Sequence, residues 1–260
     1  MLNSLELFCG AGGLALGLQK AGISHEALFE WDKTSCDNIQ LNINRHLRLV
    51  NDWRVYNMDV RKIDYTPYKG RIDIVSGGPP CQPFSVGGLA KAYNDKRDMF
   101  PEAVRAVREL APKAFIFENV KGLLRKSFST YFGYILLQLQ HPELIKKSNM
   151  TWEEHLKTLE KYHTSSTTKG LQYNVIFRGL NVADYGIPQS RNRVFIVGFR
   201  SDIDAQWSFP SATHSREALL YDKWISGSYW KEHNLPVPEN PLSEKQLTSL
   251  SMLLPLPKQG

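Results

Sequence analysis

Short apolar runs alternate with longer amphipathic segments through the first half of this chain. The runs SLELF (4–8), EALFE (26–30), VYNMDV (55–60), IDIVS (72–76) and AFIFENV (114–120) are typical of strands. Helix-like segments separate them, such as RDMFPEAVRAVREL, where apolar residues recur at helical spacing. Strands separated by helices imply right-handed βαβ units. The pattern therefore predicts an α/β fold, Rossmann-like, with a mostly parallel central sheet and helices on both faces.

The regularity loosens after Gly122. TWEEHLKTLEKYH contains a capping box, Thr151 with Glu154, and an apolar stripe, which predict a surface helix packed through that stripe. YNVIFRGL and NRVFIVGF predict two closing strands that form an antiparallel pair. Beyond about Arg200 the chain is rich in proline, serine and aromatic residues, and its periodicity is weak. We therefore predict one domain over residues 1–199 and a different region over residues 200–260.

Composition sets outer limits on function. The net charge of +6 permits a polyanionic partner without requiring one. The three cysteines, Cys9, Cys36 and Cys81, contain no CxxC pair, which argues against a disulfide framework or a zinc site. We expect no bound metal. No signal peptide or membrane-spanning run is visible, so the expected compartment is the cytosol.

A glycine-rich loop connects the first strand to a helix in LFCGAGGLALGL (7–18). Glycines let a ligand approach the backbone, and the helix start behind them favours a negative group. The spacing of Gly10, Gly12 and Gly13 lacks the full dinucleotide fingerprint. A carboxylate, such as that of an amino-acid-like cofactor, suits the loop better than a pyrophosphate. A tight strand-to-helix turn without a ligand is the alternative.

Polar groups follow the next two strands. Glu30 ends the second strand, about 20 residues after Gly10, where nucleotide-binding folds receive ribose hydroxyls. Trp31 offers a flat face for a purine, and Asp59 at the end of the third strand could accept from an adenine amino group. Each acid alone could be an ordinary surface residue. Together these strand ends predict adenosine attached to an amino acid, that is, S-adenosylmethionine.

Cys81 follows the fourth strand in GGPPCQPFS, where prolines stiffen the loop. Glu118 and Asn119 end the fifth strand, so a carboxyl group is expected beside the thiol. A methyl donor, a nucleophilic thiol and a protonating carboxyl suit methylation at cytosine C5. The thiolate adds to C6, C5 accepts the methyl group, and the base is flipped out of the duplex. A buried structural thiol is the alternative for Cys81.

These motifs together resemble those of the bacterial-type cytosine-C5 DNA methyltransferases. LFCGAGG, EWD, MDV, GGPPCQPFS, FENV and YGIPQSRNRVFIVG occur in the family's order over residues 5–199. The resemblance implies that Cys81 is the nucleophile, Glu118 contacts cytosine N3 and the amino group, and Asn119 supports the Pro-Cys loop. It implies that Arg191 and Arg193, in the QxRxR motif, act near the flipped base or brace the cysteine loop. The cofactor residues it implies are Phe8, Gly10, Gly12, Leu14, Glu30, Trp31, Asp59, Val60 and Pro80.

The resemblance also implies a substrate-closing loop and double-stranded DNA as the partner. SVGGLAKAYNDKRD (85–98) matches the family's mobile loop, whose glycines suit a hinge. Arg97 is its expected phosphate contact, and Gln82 and Ser85 are further expected substrate contacts. In the cell, the protein is expected in the bacterial cytosol and on the nucleoid when bound to DNA, within a restriction–modification or similar system.

The C-terminus departs from the family pattern. The family's target-recognition region is followed by an arginine- and glutamine-containing motif and a GN-S/A-V motif, and neither is found here. Residues 200–260 resemble a lead-in to target recognition or a partner-binding segment. We therefore expect a catalytic part whose remaining motifs lie on a second polypeptide, although a truncated chain or a degenerate remnant are alternatives. Methylation of RNA cytosine and a non-catalytic DNA- or protein-binding module are the alternative functions.

Overall fold

The computed structural model describes residues 2–80, 98–165 and 169–252. Its strands form one sheet in the order β3-β2-β1-β4-β5-β7-β6. The strands are β1 (Leu2–Leu7), β2 (Ile23–Glu30), β3 (Val55–Asn57), β4 (Ile74–Gly77), β5 (Ala114–Val120), β6 (Tyr173–Asn181) and β7 (Asn192–Arg200). The helices are α1 (Gly13–Lys20), α2 (Lys33–Asn44), α3 (Phe100–Leu110), α4 (Ser129–Gln140), α5 (Trp152–His163), α6 (Arg216–Trp224), α7 (Ser228–Glu232) and α8 (Glu244–Ser251).

The sheet is parallel from β3 to β5 and antiparallel at its far end. β1 pairs in parallel with β2 and β4, β2 pairs with β3, and β4 pairs with β5. Ser201 N donates to Gln172 O at one end of the β6–β7 pair, and Val182 N donates to Arg191 O at the other. The start of each strand thus faces the end of its neighbour, as in an antiparallel ladder. The predicted mostly parallel sheet with an antiparallel closing pair is confirmed.

Helices cover both faces of the sheet. In β2, Ala27 and Phe29 belong to the large apolar cluster that includes α3, while Leu28 lies in a smaller cluster with Ala15 of α1 and Ile39 of α2. Successive side chains of a strand point to opposite faces, so α1 and α2 cover one face and α3 covers the other. The predicted Rossmann-like arrangement is confirmed.

The strand order reverses between β1 and β4. From β1 the chain moves outward through β2 to β3, then returns to β4 on the other side of β1. Ligands of open α/β sheets bind at this switch point, beyond the carboxyl ends of the strands. The two strands approach closely here, because a Cβ placed on Gly77 would lie 2.3 Å from the carbonyl oxygen of Leu7. The glycine loop and the segment that begins at Gly78 therefore leave the sheet side by side.

The α5 helix forms as the sequence predicts. Thr151 accepts from Glu154 N, and the Glu154 side chain accepts from Thr151 N, which completes the capping box. Leu159 of the apolar stripe is fully buried, and Trp152 and Leu156 pack against the large core. The helix is therefore part of the folded core through its stripe.

The chain divides into two compact units. Unit 1 comprises Met1–Gly179 and Val194–Trp207, and unit 2 comprises Leu180–Arg193 and Ser208–Gly260. Within unit 2, the weakly periodic C-terminal stretch contains the three short helices α6, α7 and α8, which the sequence analysis did not predict. The predicted functional boundary at residue 199 stays a prediction. No helix in the described ranges has the length and apolarity that crossing a membrane requires.

The aromatic residues of unit 2 pack on one another. The rings of Trp224 and Trp230 lie 5.3 Å apart, and Tyr229 packs edge-on against Trp230 at 4.9 Å. Lys223 Nζ lies 4.5 Å from the Tyr229 ring centroid, and Trp230 Nε1 donates to Lys223 O. These side chains thus form a local, half-buried cluster between α6 and α7.

Candidate active site

The glycine loop after β1 turns sharply. Phe8, Gly10 and Gly12 all have positive φ angles, of 55°, 53° and 82°. A bulky residue such as Phe8 rarely adopts this conformation, and such outliers concentrate at functional sites. A Cβ on Gly12 would lie 2.9 Å from the Trp53 ring. Gly12, the N-cap residue of helix α1, has no side chain that could cap it. Apart from Ala15 N, which donates to Glu6, the first-turn N–H groups can therefore receive a negative ligand group.

A buried glutamate lies beneath this loop. Glu6 is 1% exposed, and its two oxygens accept from Ala15 N at 3.2 Å and from Ser76 Oγ at 2.9 Å. It therefore joins the start of α1 to the end of β4, across the switch point. Burial raises the pKa of the Glu6 carboxyl to about 7.

Glu30 fixes the glycine loop from the neighbouring strand. Its Oε2 accepts from Gly10 N at 2.8 Å, and its Oε1 accepts from Asp32 N at 2.8 Å. A carboxylate offers about four lone-pair sites, so both oxygens can still accept from a ligand hydroxyl. The predicted ribose acid is thus also an internal brace of the loop.

Trp31 and Asp59 lie together beyond β2 and β3. Asn57 Nδ2 donates to the carbonyl oxygens of Glu30 and Trp31, at 3.1 and 2.7 Å, which fixes the backbone that carries the indole. The Trp31 side chain is nevertheless 67% exposed. Arg61 contacts both Trp31 and Asp59, with its guanidinium 5.8 Å from the ring centroid and bonded to the carboxylate. Hydrogen bonds from Arg61 hold the pKa of Asp59 below its usual value.

The expectation that Asp59 ends the third strand is wrong in detail. β3 ends at Asn57, and Asp59 instead caps a 3₁₀ turn over Val60–Lys62 by accepting from Arg61 N at 3.0 Å. Asp favours such capping positions, because its side chain competes for nearby backbone N–H groups. The residue still lies just beyond the carboxyl edge of the sheet.

Arg105 supports the same turn from α3. Its guanidinium donates to Val60 O at 2.7 Å and to Ile63 O at 3.2 Å, and packs 4.7 Å from the Tyr65 ring centroid. Val60 is buried, while Leu14 on α1 and Phe8 are half-buried. The predicted cofactor residues of unit 1 therefore lie on strand ends, on the start of α1 and on loops, and hydrogen bonds hold the loop after β1 and the turn after β3.

The ends of β4 and β5 present the segment that leads to Cys81. The buried Asn119 donates through Nδ2 to Pro79 O at 2.9 Å and accepts through Oδ1 from Val120 N at 2.8 Å. A Cβ on Gly78 would lie 3.6 Å from Glu118 Oε2, so this carboxyl is adjacent to the same segment. Met99 N donates to Pro80 O at 3.1 Å. Asn119 thus makes the contact expected of a support for the Pro-Cys loop, while its catalytic role stays a prediction.

Several predicted residues lie outside the described residues: Cys81, Gln82, Ser85 and Arg97, with all of the predicted mobile loop except Asp98. The two described cysteines are buried thiols. Burial, followed by the charges of Glu6 and Glu30, raises the pKa of Cys9, and burial raises the pKa of Cys36. Neither described cysteine is therefore a thiolate nucleophile at neutral pH.

Arg191 and Arg193 belong to unit 2. Arg191 N donates to Asn181 Oδ1 at 3.0 Å, and the Arg193 guanidinium donates to Asn192 O at 2.8 Å. The connecting loop is tied to the segment that follows β7, since Asp184 O accepts from Thr213 N and from His214 N. The structure thus brings the other described site residues together in unit 1 and assigns the two arginines to a separate unit. Their action at the base stays a prediction.

The described residues of unit 1 fit an adenosine linked to an amino acid. The start of α1, whose N-cap residue is a glycine, suits the ligand's carboxylate. The Glu30 carboxylate beside it suits the ribose, and an exposed indole beside Asp59 suits the purine. Within the described ranges, His, Cys, Asp and Glu form no group of three or more that could hold a metal ion.

The sequence analysis missed three residues that support the candidate site, namely Glu6, Asn57 and Arg105. A signal existed for Glu6, which is a charged residue inside the apolar run SLELF. A signal also existed for Asn57, a polar side chain at the carboxyl end of a strand beside Asp59. Arg105 had none, because its partners Val60 and Ile63 lie more than 40 residues away.

Comparison with known proteins indicates the family to which this chain belongs. The family model described as C-5 cytosine-specific DNA methylase matches residues 2–143 and 146–251. The Type II methyltransferase M.NgoMIV of Neisseria gonorrhoeae is 34% identical over 236 residues, which cover 89% of this chain and 64% of the relative. The Type II methyltransferase M.AquIA of a Picosynechococcus species is 34% identical over 227 residues, 85% of this chain and 82% of the relative.

Among solved structures, the Entamoeba histolytica methyltransferase EhMeth aligns with a TM-score of 0.53 and 17% identity, over 84% of this chain and 59% of that chain. This likeness supports the fold alone. The chain spans from about two fifths to about two thirds of the length of three of the curated relatives that it matches. Because the family model covers nearly the whole chain, the chain belongs to the C-5 cytosine-specific DNA methylase family.

Proposed function

We propose that this chain carries the catalytic site of a DNA (cytosine-5-)-methyltransferase of a bacterial restriction–modification system. It would use S-adenosylmethionine, whose sulfonium supplies the methyl group, and would act on a cytosine flipped out of double-stranded DNA. The expected location is the bacterial cytosol. The observation that carries the proposal is the bond from buried Asn119 to Pro79 O, two residues before Cys81, within a chain of this family.

In the proposed reaction, the Cys81 thiolate forms a bond to cytosine C6. The protonated Glu118 carboxyl donates a hydrogen bond to N3 and so stabilises the negative charge that develops on the ring. The activated C5 would then take the methyl group as its bond to the sulfonium sulfur breaks, which leaves S-adenosylhomocysteine as the product. Loss of the C5 proton to a base and elimination of the Cys81 thiolate restore the aromatic ring and free the thiol. The position of Glu118 beside Gly78 supports this division of roles, since the carboxyl faces the segment that presents the cysteine.

The cofactor roles are proposed for the loops of unit 1. Phe8, Gly10, Gly12 and Leu14 would receive the amino-acid end, Glu30 the ribose, and Trp31, Asp59, Val60 and Pro80 the purine end. Support comes from the bond between Glu30 and Gly10 N, which joins the amino-acid and ribose parts of the site. Arg191 and Arg193 are proposed to act at the flipped base or at the cysteine loop, Arg97 at a phosphate, and Gln82 and Ser85 at the substrate.

We further propose that target recognition and the last family motifs come from a second polypeptide. The relative M.NgoMIV extends well beyond the region that aligns with this chain. M.AquIA, in contrast, is covered over 82% of its length, so at least one relative aligns with this chain over most of its own length. The lead-in at residues 200–260 is the proposed contact region.

The test is transfer of a labelled methyl group to mixed-sequence duplex DNA, with the chain alone and with the protein encoded by the adjacent reading frame. Activity that requires both proteins would support the split enzyme, and full activity of the chain alone would contradict it. Cys81→Ser should abolish transfer but leave cofactor binding intact. Two further nucleic acids are tested as substrates, namely transfer RNA and duplex DNA that contains 5-fluorocytosine, which traps the thiol adduct. Methyl transfer to RNA but not to DNA would refute the proposed reaction, and so would the absence of a trapped adduct when both proteins are present.

A further inference from the structure

Arg61 contacts both groups that the proposed site offers to a purine. Its Nε donates to Asp59 Oδ1 at 2.9 Å, and a terminal nitrogen donates to Asp59 Oδ2 at 2.6 Å. The same guanidinium lies 5.8 Å from the centroid of the Trp31 ring, within the range of a cation–π contact. One planar group therefore bridges a carboxylate and an indole.

A guanidinium resembles the aminopyrimidine half of adenine in the features that matter here. Both are planar, both carry N–H donors in the plane, and both can stack a flat face on an aromatic ring. An adenine that donates its amino group to Asp59 and stacks on Trp31 needs the same two partners that Arg61 uses.

We propose that Arg61 stands in for the cofactor's adenine in the free chain and is displaced when the cofactor binds, so that it lowers cofactor affinity. The inference rests on the proposed function, because it takes Asp59 and Trp31 as the purine-binding groups. Arg61 would therefore influence the affinity for the cofactor without contacting the cofactor once it is bound.

The surroundings of Arg61 suit a displaceable group. Its side chain is 43% exposed, so the guanidinium can move into water, and the 13% exposed carboxylate of Asp59 would then bond to the adenine amino group in its place. Asp59 keeps its orientation after that movement, since its Oδ1 also accepts from the backbone N–H of Arg61. Exposed ion pairs contribute little free energy, and a ligand with good complementarity can replace one.

The experiment measures binding of S-adenosylhomocysteine and of adenosine by calorimetry, for the wild-type chain and for Arg61→Met. Methionine keeps an apolar stem but cannot bond to Asp59. We expect both ligands to bind roughly three- to tenfold more tightly to the variant, the range set by one exposed ion pair and one exposed cation–π contact. Lys62→Ala is the matched control, because it removes a positive charge from the same turn and should change either affinity by less than about twofold.

The outcomes separate the inference from the proposed function. Weaker binding by Arg61→Met would identify the guanidinium as a wall of the purine site, and unchanged binding would show that it does not compete, so either result overturns the inference. A gain for S-adenosylhomocysteine without a gain for adenosine would also overturn it, because the competition is placed at the purine. If the wild-type chain and the variant both fail to bind S-adenosylhomocysteine, the proposed cofactor site itself is refuted.

Discussion

The buried Glu6 makes the stability of this protein depend on pH in a defined direction. Its pKa is about 7 in the folded chain, against an ordinary value of 4.5, because burial disfavours the charged form. Between these two values the folded chain binds more protons than the unfolded chain. The stabilising effect of a neutral Glu6 is fully present below about pH 4.5 and is lost as the pH rises through about 7.

The magnitude follows from the two pKa values. One pKa unit corresponds to about 1.4 kcal/mol, so ionising Glu6 in the folded chain lowers the free energy of unfolding by about 3 kcal/mol once the pH is well above 7. Both hydrogen bonds of Glu6 are already formed with Ala15 N and Ser76 Oγ. They offset only part of the desolvation cost.

Glu6→Gln isolates this contribution. The amide oxygen can still accept from Ala15 N, and the amide nitrogen can donate to Ser76 Oγ, so the variant keeps both contacts and cannot ionise. Unfolding in guanidinium chloride would be measured from about pH 4.5 to about pH 8.5. The free energy of unfolding of the variant minus that of the wild type should rise by about 3 kcal/mol across this range.

Subtracting the wild-type free energy of unfolding from that of the variant cancels the contribution of the histidines, which has the opposite dependence on pH. Burial holds the pKa values of His25, His141 and His155 below normal, so they destabilise the fold as the pH falls. Glu239→Gln, at an exposed carboxylate, is the control for the removal of one carboxyl group. A difference between Glu6→Gln and wild type that does not change with pH would refute the reasoning, since Glu6 would then keep one protonation state throughout.

Three further predictions concern the site and its supports. Asn119→Ala should lower the free energy of unfolding by about 2–4 kcal/mol, because it leaves Pro79 O and Val120 N without their partner. It should also slow methyl transfer. A variant with wild-type stability in denaturant would contradict this prediction. Gly77→Ala should lower the free energy of unfolding by about 2 kcal/mol or more, because its Cβ would lie 2.3 Å from Leu7 O. Gly133→Ala, with no atom within 4 Å of the new Cβ, should raise it by about 0.5–1 kcal/mol. Equal unfolding midpoints for the two variants would argue against the close approach. His141→Gln should reduce the loss of stability as the pH falls below about 6.5, because burial and His163, 2.9 Å away, lower the pKa of His141; an unchanged acid limb in a denaturant titration would count against it.

The fold could be predicted because its signals are local. Apolar runs of strand length, separated by segments with helical spacing, determine the parallel sheet, and the capping box of Thr151 and Glu154 determines where α5 begins. The three C-terminal helices were missed because two of them have only eight or nine residues and one has five, too short for a clear period.

The candidate site was predictable in its residue types but not in its contacts. The positions of Glu30, Asp59 and Asn119 follow from the rule that ligand groups lie at the carboxyl ends of strands. That Glu30 bonds to Gly10 N, or that Arg61 turns back onto Asp59, depends on side-chain geometry that no periodicity encodes. Long-range supports such as Arg105 on Val60 O depend on how α3 packs, which is a property of the whole core.

The bond from Met99 N to Pro80 O means that the chain leaves the core at one point and re-enters it beside that point. The two ends of the intervening chain are therefore held beside each other, and Asp98, next to the second end, is tied to α4 because the Tyr131 hydroxyl donates to its carboxylate. Doubling the length of a loop with fixed ends costs only about 0.6 kcal/mol of closure entropy. A change in the length of chain between these fixed ends should therefore cost the fold little free energy, as long as the contacts of Pro80, Asp98 and Met99 are kept.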